Sequence, residues 1–245
     1  MNGMPPSRSV LVLGASRGIG AAVCRRLTAA GHEVIGVARH FPPDRLPDAS
    51  RESAFTPVTL DLADLDNLPR RLLALQREHP RIDTLVCCAG RGRFGCLEEF
   101  SCDQIRALME INFLAHAFAV RTFLPTMKSR GDGLLVFIGS EAALAGHQKG
   151  SIYCASKFAL RGFAQALREE CARSGVRVTV INPGMVRTGF FADLDFAPGP
   201  EPEHALRAED VAEAVALAVA APPTGVVDEI NLSPLKKVVI FRKED

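Results

Sequence analysis

The chain alternates short, wholly apolar runs with longer stretches whose apolar residues recur every three or four positions. Short apolar runs bounded by turn residues read as buried strands, and the longer periodic stretches read as helices. Strands are predicted at 10–13, 33–38, 57–60, 82–88, 133–138, 176–181 and, as the last, 229–232. Helices are predicted at 19–30 (closed by Gly31), 65–78, 103–130, 152–173 and 208–221. Pro125 is expected to bend or shorten the end of the 103–130 helix. The stretch 41–50 is rich in Pro and Asp, so a helix there is short or irregular. Strands that are continuously apolar and separated by helices predict a parallel sheet covered on both faces. The expectation is an α/β fold: a doubly wound, Rossmann-like single domain over residues 1–245, without repeats or linkers.

Composition narrows the function. The 245 residues carry a formal charge of +1 and are 47% hydrophobic. This balance suits a large core and gives no reason to expect nucleic acid or an anionic membrane surface as a partner. Arg91-Gly92-Arg93 is too short for a polybasic patch. No apolar run approaches the ~18 residues of a membrane span, and 10–13 is too short for a signal sequence, so a cytoplasmic location is expected. Seven cysteines without a CxxC pair fit neither a disulfide framework nor a zinc site, and the six histidines lack ligand spacing. Reduced thiols and no metal are expected.

Two motifs carry chemistry. Gly14-Ala15-Ser16-Arg17-Gly18-Ile19-Gly20 lies between the first strand and the first helix. Glycines let the backbone approach a pyrophosphate, and the helix start offers N–H groups and a positive dipole end. The second strand ends Val37-Ala38-Arg39, without the acid that would hold a ribose 2′-hydroxyl. Arg39, with Arg17 as a second cation near the same point, suits a 2′-phosphate and so NADPH rather than NADH. The other motif is Tyr153-Cys154-Ala155-Ser156-Lys157, holding the only tyrosine. Residues at i and i+4 share a helix face, so the Lys157 ammonium is expected to lower the pKa of Tyr153 and make it a proton donor.

With these motifs in that strand–helix order, the chain resembles the short-chain dehydrogenase/reductase family over almost its whole length. Further positions match. Asp61-Leu62 resembles the pair that holds the adenine, and Ala89-Gly90 the end of strand four. Asn112 matches the family's catalytic Asn, and Ser140, thirteen residues before Tyr153, its catalytic Ser. Pro183-Gly184-Met185-Val186-Arg187-Thr188 resembles the segment that contacts the nicotinamide. The resemblance implies that Ser140 polarises a carbonyl, Tyr153 protonates it, Lys157 holds the nicotinamide ribose and Asn112 positions a relay water. Residues 185–207 fall at the family's substrate loop. Their phenylalanines suggest a hydrophobic or amphipathic carbonyl substrate, and the 236–245 tail and the family's habit suggest a homo-oligomer, tetramer or dimer.

The chain also departs from the pattern. Leu13 stands where Thr is frequent, and Cys87-Cys88 where Asn-Asn is usual. The last strand lacks the Asp-Gly-Gly of acyl-carrier ketoreductases. The leading expectation is an NADPH-dependent carbonyl reductase. The alternatives are an NAD-dependent alcohol dehydrogenase of the same fold and a dinucleotide-binding regulator with vestigial activity. Glu141, beside Ser140, has no assigned role.

Overall fold

The computed structural model describes residues 7–42, 55–222 and 224–242. The irregular stretch expected at 41–50 therefore lies mostly outside the described residues, as do the last residues of the tail.

Seven parallel strands form the main sheet: β1 (Ser9–Leu13), β2 (Glu33–Ala38), β3 (Phe55–Thr59), β4 (Thr84–Cys87), β5 (Gly133–Ile138), β6 (Val176–Pro183) and β8 (Glu229–Leu232). Their order is β3-β2-β1-β4-β5-β6-β8. The reversal at β1 opens a crevice at the strand C-termini, where such sheets bind ligands. Alternate residues of each strand supply two cores. Leu11, Leu13, Val37, Leu85 and Phe137 face one side, Val10, Val12, Val34, Val86 and Val136 the other. The first side is covered by α2 (Leu68–Glu78), α4 (Ala115–Arg130) and α5 (Ser151–Cys171). The second is covered by α1 (Gly18–Ala29) and α6 (Ala208–Ala220). This is the doubly wound arrangement that the apolar runs predicted. β3 tolerates Pro57 because it is the sheet edge, where a missing N–H breaks no central ladder.

Three elements differ from expectation. The helix expected at 65–78 starts at Leu68, because Asp64 and Asn67 spend the preceding residues on a side-chain turn, with Asn67 Nδ2 donating to Asp64. The single helix expected at 103–130 is α3 (Cys102–Met109), a π-helical turn at Glu110–Leu114, and α4. Pro125 does not shorten α4, which runs on to Arg130 and ends at Gly131 with φ 71°. Both Pro125 and Arg121, whose carbonyl loses the N–H partner, face solvent. Finally, β8 is not the last strand. Val239–Phe241 form β9, antiparallel to β7 (Phe196–Pro198) in a separate two-stranded ribbon.

By length and composition alone, Cys102–Arg130 could cross a membrane. Its window includes polar residues, so it is not the uninterrupted apolar run sought in the sequence. In the fold, Ala115, Ala119, Phe123 and Met127 are buried against the sheet.

Candidate active site

The expected dinucleotide residues gather at the C-terminal ends of β1, β2 and β4. The chain leaves β1 through Gly14 at φ 88°, a conformation that favours glycine. A side chain there would press on the Ala89 backbone at 2.8 Å. The N–H groups of Gly14 and Ala15 both donate to the Val37 carbonyl, at 2.9 and 3.0 Å, which ties the turn to β2. Ser16 and Arg17 then lead into α1. Arg17 is extended and its side chain does not cap the helix, so the first-turn N–H groups stay free of a side-chain partner. Gly18 begins the helix with a positive φ of 54°; Ile19 packs on the second core, and Gly20 sits against the Gly14 carbonyl. Free helix-start N–H groups beside glycine backbone suit a phosphate.

Arg39 is exposed and lines a cavity of about 500 Å³ with Asp61, Asn67, Arg70 and Arg71. Arg17 was expected to join it but lines a different cavity, of about 450 Å³, with Gly18, Arg25 and Thr188. The cations beside Arg39 come instead from the first turn of α2, which the sequence reading missed because Arg70 and Arg71 look like an ordinary solvated face. Asp61 accepts from the Ala63 N–H at 2.9 Å, and Leu62 is buried.

The expected proton-transfer residues meet beyond β4 and β5. Ser140 leaves β5 extended, and its hydroxyl oxygen accepts from the Ala142 N–H at 3.1 Å, leaving its own O–H free to donate. Tyr153 and Lys157 lie on successive turns of α5, both buried. Lys157 Nζ donates to the Ile138 carbonyl at 3.0 Å and stands 6.0 Å from the Tyr153 ring centre. Gly90 lies between Asn112 and Lys157: a side chain there would come 3.2 Å from Asn112 Oδ1 and 3.7 Å from Lys157 Nζ.

Asn112, expected to position a relay water, has its side chain engaged by protein. Its Nδ2 donates to the Arg91 carbonyl and to Ser156 Oγ, each at 3.0 Å, and its Oδ1 accepts from Arg91 N–H at 2.9 Å. Ser156 in turn donates to the Tyr153 carbonyl at 2.7 Å. The amide thus braces the loop after β4 against the tyrosine helix, from a π-helical turn of the kind that often marks functional sites. One turn on, His116 is buried, its Nε2 2.8 Å from the Ala89 carbonyl. That contact makes Nε2 the N–H donor; among the described residues Nδ1 has no partner.

Electrostatics correct one expectation. Lys157 does not bring Tyr153 down: burial pushes the phenol up to about 12, and the facing Ser140 hydroxyl pulls it back only in part. Burial also pushes Lys157 down to about 8, with Cys88 acting against the shift. For both groups burial is the largest cause, because it disfavours the charged form of each. His116 falls to about 4, again through burial, so it is neutral near pH 7.

The Pro183–Thr188 segment closes β6 and opens the loop over residues 185–207. Pro183 pairs with Leu232, and Gly184 N–H donates to the Leu232 carbonyl at 2.7 Å. Val186 pairs with Leu206, which closes the base of the loop. Thr188 Oγ1 accepts from Phe190 N–H at 3.2 Å. Phe190 then lies over Tyr153, ring centres 5.9 Å apart, and Phe94 lies closer still at 5.0 Å. Phe94 was not anticipated, because it sits in a loop without periodicity. Ala142, Phe94 and Phe190 give Tyr153 apolar neighbours. Among the described residues, no group of three or more His, Cys, Asp or Glu side chains could hold a metal.

Comparison with known proteins agrees with this geometry. A family profile described as short chain dehydrogenase matches residues 8–197. Estradiol 17-beta-dehydrogenase 1 of Rattus norvegicus is 34% identical over 81% of this chain, which spans only 60% of that protein's length. Dehydrogenase/reductase SDR family member 11 of Mus musculus is 34% identical over 94% of this chain and 95% of its own. A metagenomic short-chain oxidoreductase solved in complex with NADP superposes with a TM-score of 0.77 at 29% identity, over 93% of this chain and 97% of that one. With the switch-point crevice, the glycine turn and the Tyr–Lys helix in place, the chain belongs to the short-chain dehydrogenase family, oxidoreductases whose fold binds a nicotinamide dinucleotide.

Proposed function

We propose that the protein is an NADPH-dependent reductase of ketones or aldehydes on small hydrophobic or amphipathic molecules. It works in the cytoplasm as one domain, with residues 185–207 as its substrate loop, and as a homo-oligomer. The observation that carries the reading is the convergence of Ser140, Tyr153 and Lys157 under an apolar cover of Phe94 and Phe190.

The residues suited to hold the dinucleotide are Gly14, Ser16, Arg17, Gly18, Ile19 and Gly20 along the pyrophosphate. Arg39 takes the 2′-phosphate, Asp61 and Leu62 the adenine, Ala89 and Gly90 the ribose side. Pro183, Gly184, Val186 and Thr188 line the nicotinamide. The arginine-lined cavity at Arg39 supports NADPH over NADH, since no carboxylate ends β2 and guanidiniums bind phosphate with charge-assisted bonds. The NADP-bound metagenomic relative points the same way.

When bound, the nicotinamide supplies the hydride, and its oxidised ring a positive charge that favours an ionised Tyr153. Ser140 donates its free O–H to the substrate oxygen and orients the carbonyl. Tyr153 gives its proton to that oxygen and is left as phenolate. Lys157, one turn along the helix from Tyr153, would hold the nicotinamide ribose and stabilise the phenolate with its ammonium. Asn112 holds the loop after β4 and the tyrosine helix in register. Phe94 and Phe190 exclude water and favour apolar groups beside the carbonyl.

The test is a panel of ketones and aldehydes offered with NADPH and NADH side by side. Tyr153→Phe is expected to lower turnover by at least about 100-fold while dinucleotide binding is retained. Tight NADPH binding with no turnover on the panel would leave the regulator reading standing instead. Faster turnover of alcohols with NAD would favour the dehydrogenase reading. Light scattering of the purified protein checks the oligomer.

A further inference from the structure

A proton donor must touch the oxygen it serves, yet only 7% of Tyr153 is exposed. Its cover is made of this chain's own aromatic rings. Phe94 lies 5.0 Å from it between ring centres, tilted by 47°, and Phe190 5.9 Å, tilted by 59°. The edges of both rings meet over Gly92. A side chain there would come 2.5 Å from Phe190 Cζ and 2.9 Å from Phe94 Cε2. Gly92 does not have a positive φ, so it is space rather than backbone conformation that calls for glycine. Phe190 can seat against Tyr153 only because residue 92 has no side chain.

The seat is firmly built, and its occupant is the part free to swing. Phe94 packs on Phe196 at 4.9 Å, and Phe196 on the buried Phe191 at 5.8 Å. The segment 234–242 lies as a strap across the loop over residues 185–207. In it, Lys236 N–H donates to the Glu203 carbonyl, and Lys236 Nζ pairs with the Glu203 carboxylate at 2.9 Å. β9 pairs with β7, and Phe241 meets Phe196. Lys237 reaches the other way and pairs with Glu141, in the turn after Ser140, at 2.5 Å. These contacts hold Phe196 and, through it, Phe94. Phe190 is only half-buried and follows Gly189, which has open space around it. Rotation about its own side-chain bonds breaks no strand pair and no backbone hydrogen bond.

We propose that the seat over Gly92, against Phe94 and Tyr153, is the substrate's subsite for a planar apolar ring, and that Phe190 is the side chain this ring displaces. The substrates it fits are ketones that carry an aryl group close to the carbonyl. The seat already holds a benzene ring among aromatic neighbours. An aryl group regains the tilted contacts that Phe190 gives up, and a short alkyl group does not. Binding is then an exchange of one ring for another, and the ligand shifts Phe190 by binding only the arrangement in which it has left. The proposal rests on carbonyl reduction at Tyr153 and names the class of ketone.

The only tyrosine of a tryptophan-free chain gives a direct readout, because all tyrosine emission comes from Tyr153. Acrylamide quenching of that emission reports how well Tyr153 is covered, in the full chain free and saturated with NADPH. Phe190→Ala is expected to raise the quenching constant several-fold. Benzyl alcohol, which has no hydride acceptor beside NADPH, is expected to bring it back towards the wild-type value, and butanol to restore little. Turnover supplies a second readout. Phenylacetone and butanone differ only in a phenyl in place of a methyl. Gly92→Ala puts a Cβ where the ring must lie, and is expected to raise KM for phenylacetone about tenfold more than KM for butanone. Unchanged quenching in Phe190→Ala, or quenching that benzyl alcohol leaves as high as before, overturns the proposal. So does a Gly92→Ala variant that weakens both ketones alike. If Gly92→Ala does not fold, or butanone turns over too slowly to measure, the quenching of Phe190→Ala decides alone. Quenching needs no turnover. If Tyr153→Phe keeps full activity while benzyl alcohol still protects Tyr153 in Phe190→Ala, the proton-donor reading fails and the ring subsite stands.

Discussion

Lys157 and His116 are both buried bases whose charged forms the fold disfavours, and each leaves a mark on stability. The Lys157 pKa drops to about 8 in the fold, below its ordinary 10.5. Between those values the unfolded chain keeps a proton that the native chain has lost, so this group makes stability rise with pH. Below pH 8 both states are charged and the full burial cost applies. Lys157→Met is therefore expected to stabilise the dinucleotide-free protein by about 1–3 kcal/mol at pH 7 while losing activity. The advantage should shrink towards pH 10.5 in chemical denaturation; a less stable variant at pH 7 would refute the buried-charge account. His116 acts at the acid end. Its folded pKa of about 4 lies under the ordinary 6.5, so its contribution is intact above 6.5 and lost as pH falls towards 4. His116→Leu is expected to cost about 1–3 kcal/mol at pH 7, since the Ala89 carbonyl loses its donor, yet to lose less than wild type between pH 7 and 5. Denaturant midpoints at the two pH values decide this. Tyr153 and Lys157 were legible as candidates because their spacing and helical phase are local facts, whereas Ser140 and Asn112 were legible only through the family resemblance. The Glu141–Lys237 pair was not, since nothing local says that residues so far apart in sequence will meet.

At the scale of elements, apolar runs and helical phase predicted the main sheet and its covering helices, because burial on two faces leaves a strong pattern. What escaped was held by polar detail or by exposure. The π-helical turn at Glu110–Leu114 keeps an apolar rhythm and differs only in its hydrogen bonds. The β9 residues are all exposed, so no burial period marks them, and they read as a charged tail. Their attachment is nonetheless specific. Arg242 N–H donates to the Asp195 carbonyl, and its guanidinium to the Ala192 and Phe191 carbonyls at 2.8 and 2.9 Å. Arg242→Ala is expected to lower the local opening energy of the loop by roughly 1 kcal/mol, or about fivefold faster amide exchange at residues 189–199. Exchange in β1, β4 and β5 should stay as it is. Uniform acceleration across the sheet would mean that the strap supports the whole fold rather than the loop.

Across the whole molecule, the proposed dinucleotide residues come from the ends of β1, β2, β4 and β6, so one ligand would tie together most of the sheet. A ligand that binds only the native state raises stability with its saturation, by about 2.7 kcal/mol at 100 times its Kd. For a chain of this size each kcal/mol is worth about 2–4 °C in Tm. NADPH is expected to raise Tm more than NADH at equal concentration, and Arg39→Asp to erase or invert that order. A wild-type protein that NADH stabilises more would remove the case for a 2′-phosphate site at Arg39. The strap has a consequence in time as well. Synthesis proceeds from the N-terminus, so β1 to β6, the Tyr153 helix and the loop over residues 185–207 are all made before β9 exists. A nascent chain can therefore build its sheet and its dinucleotide crevice while Glu141 is still bare. The loop over residues 185–207 is fastened, and Glu141 paired, only when residues 234–242 have left the ribosome.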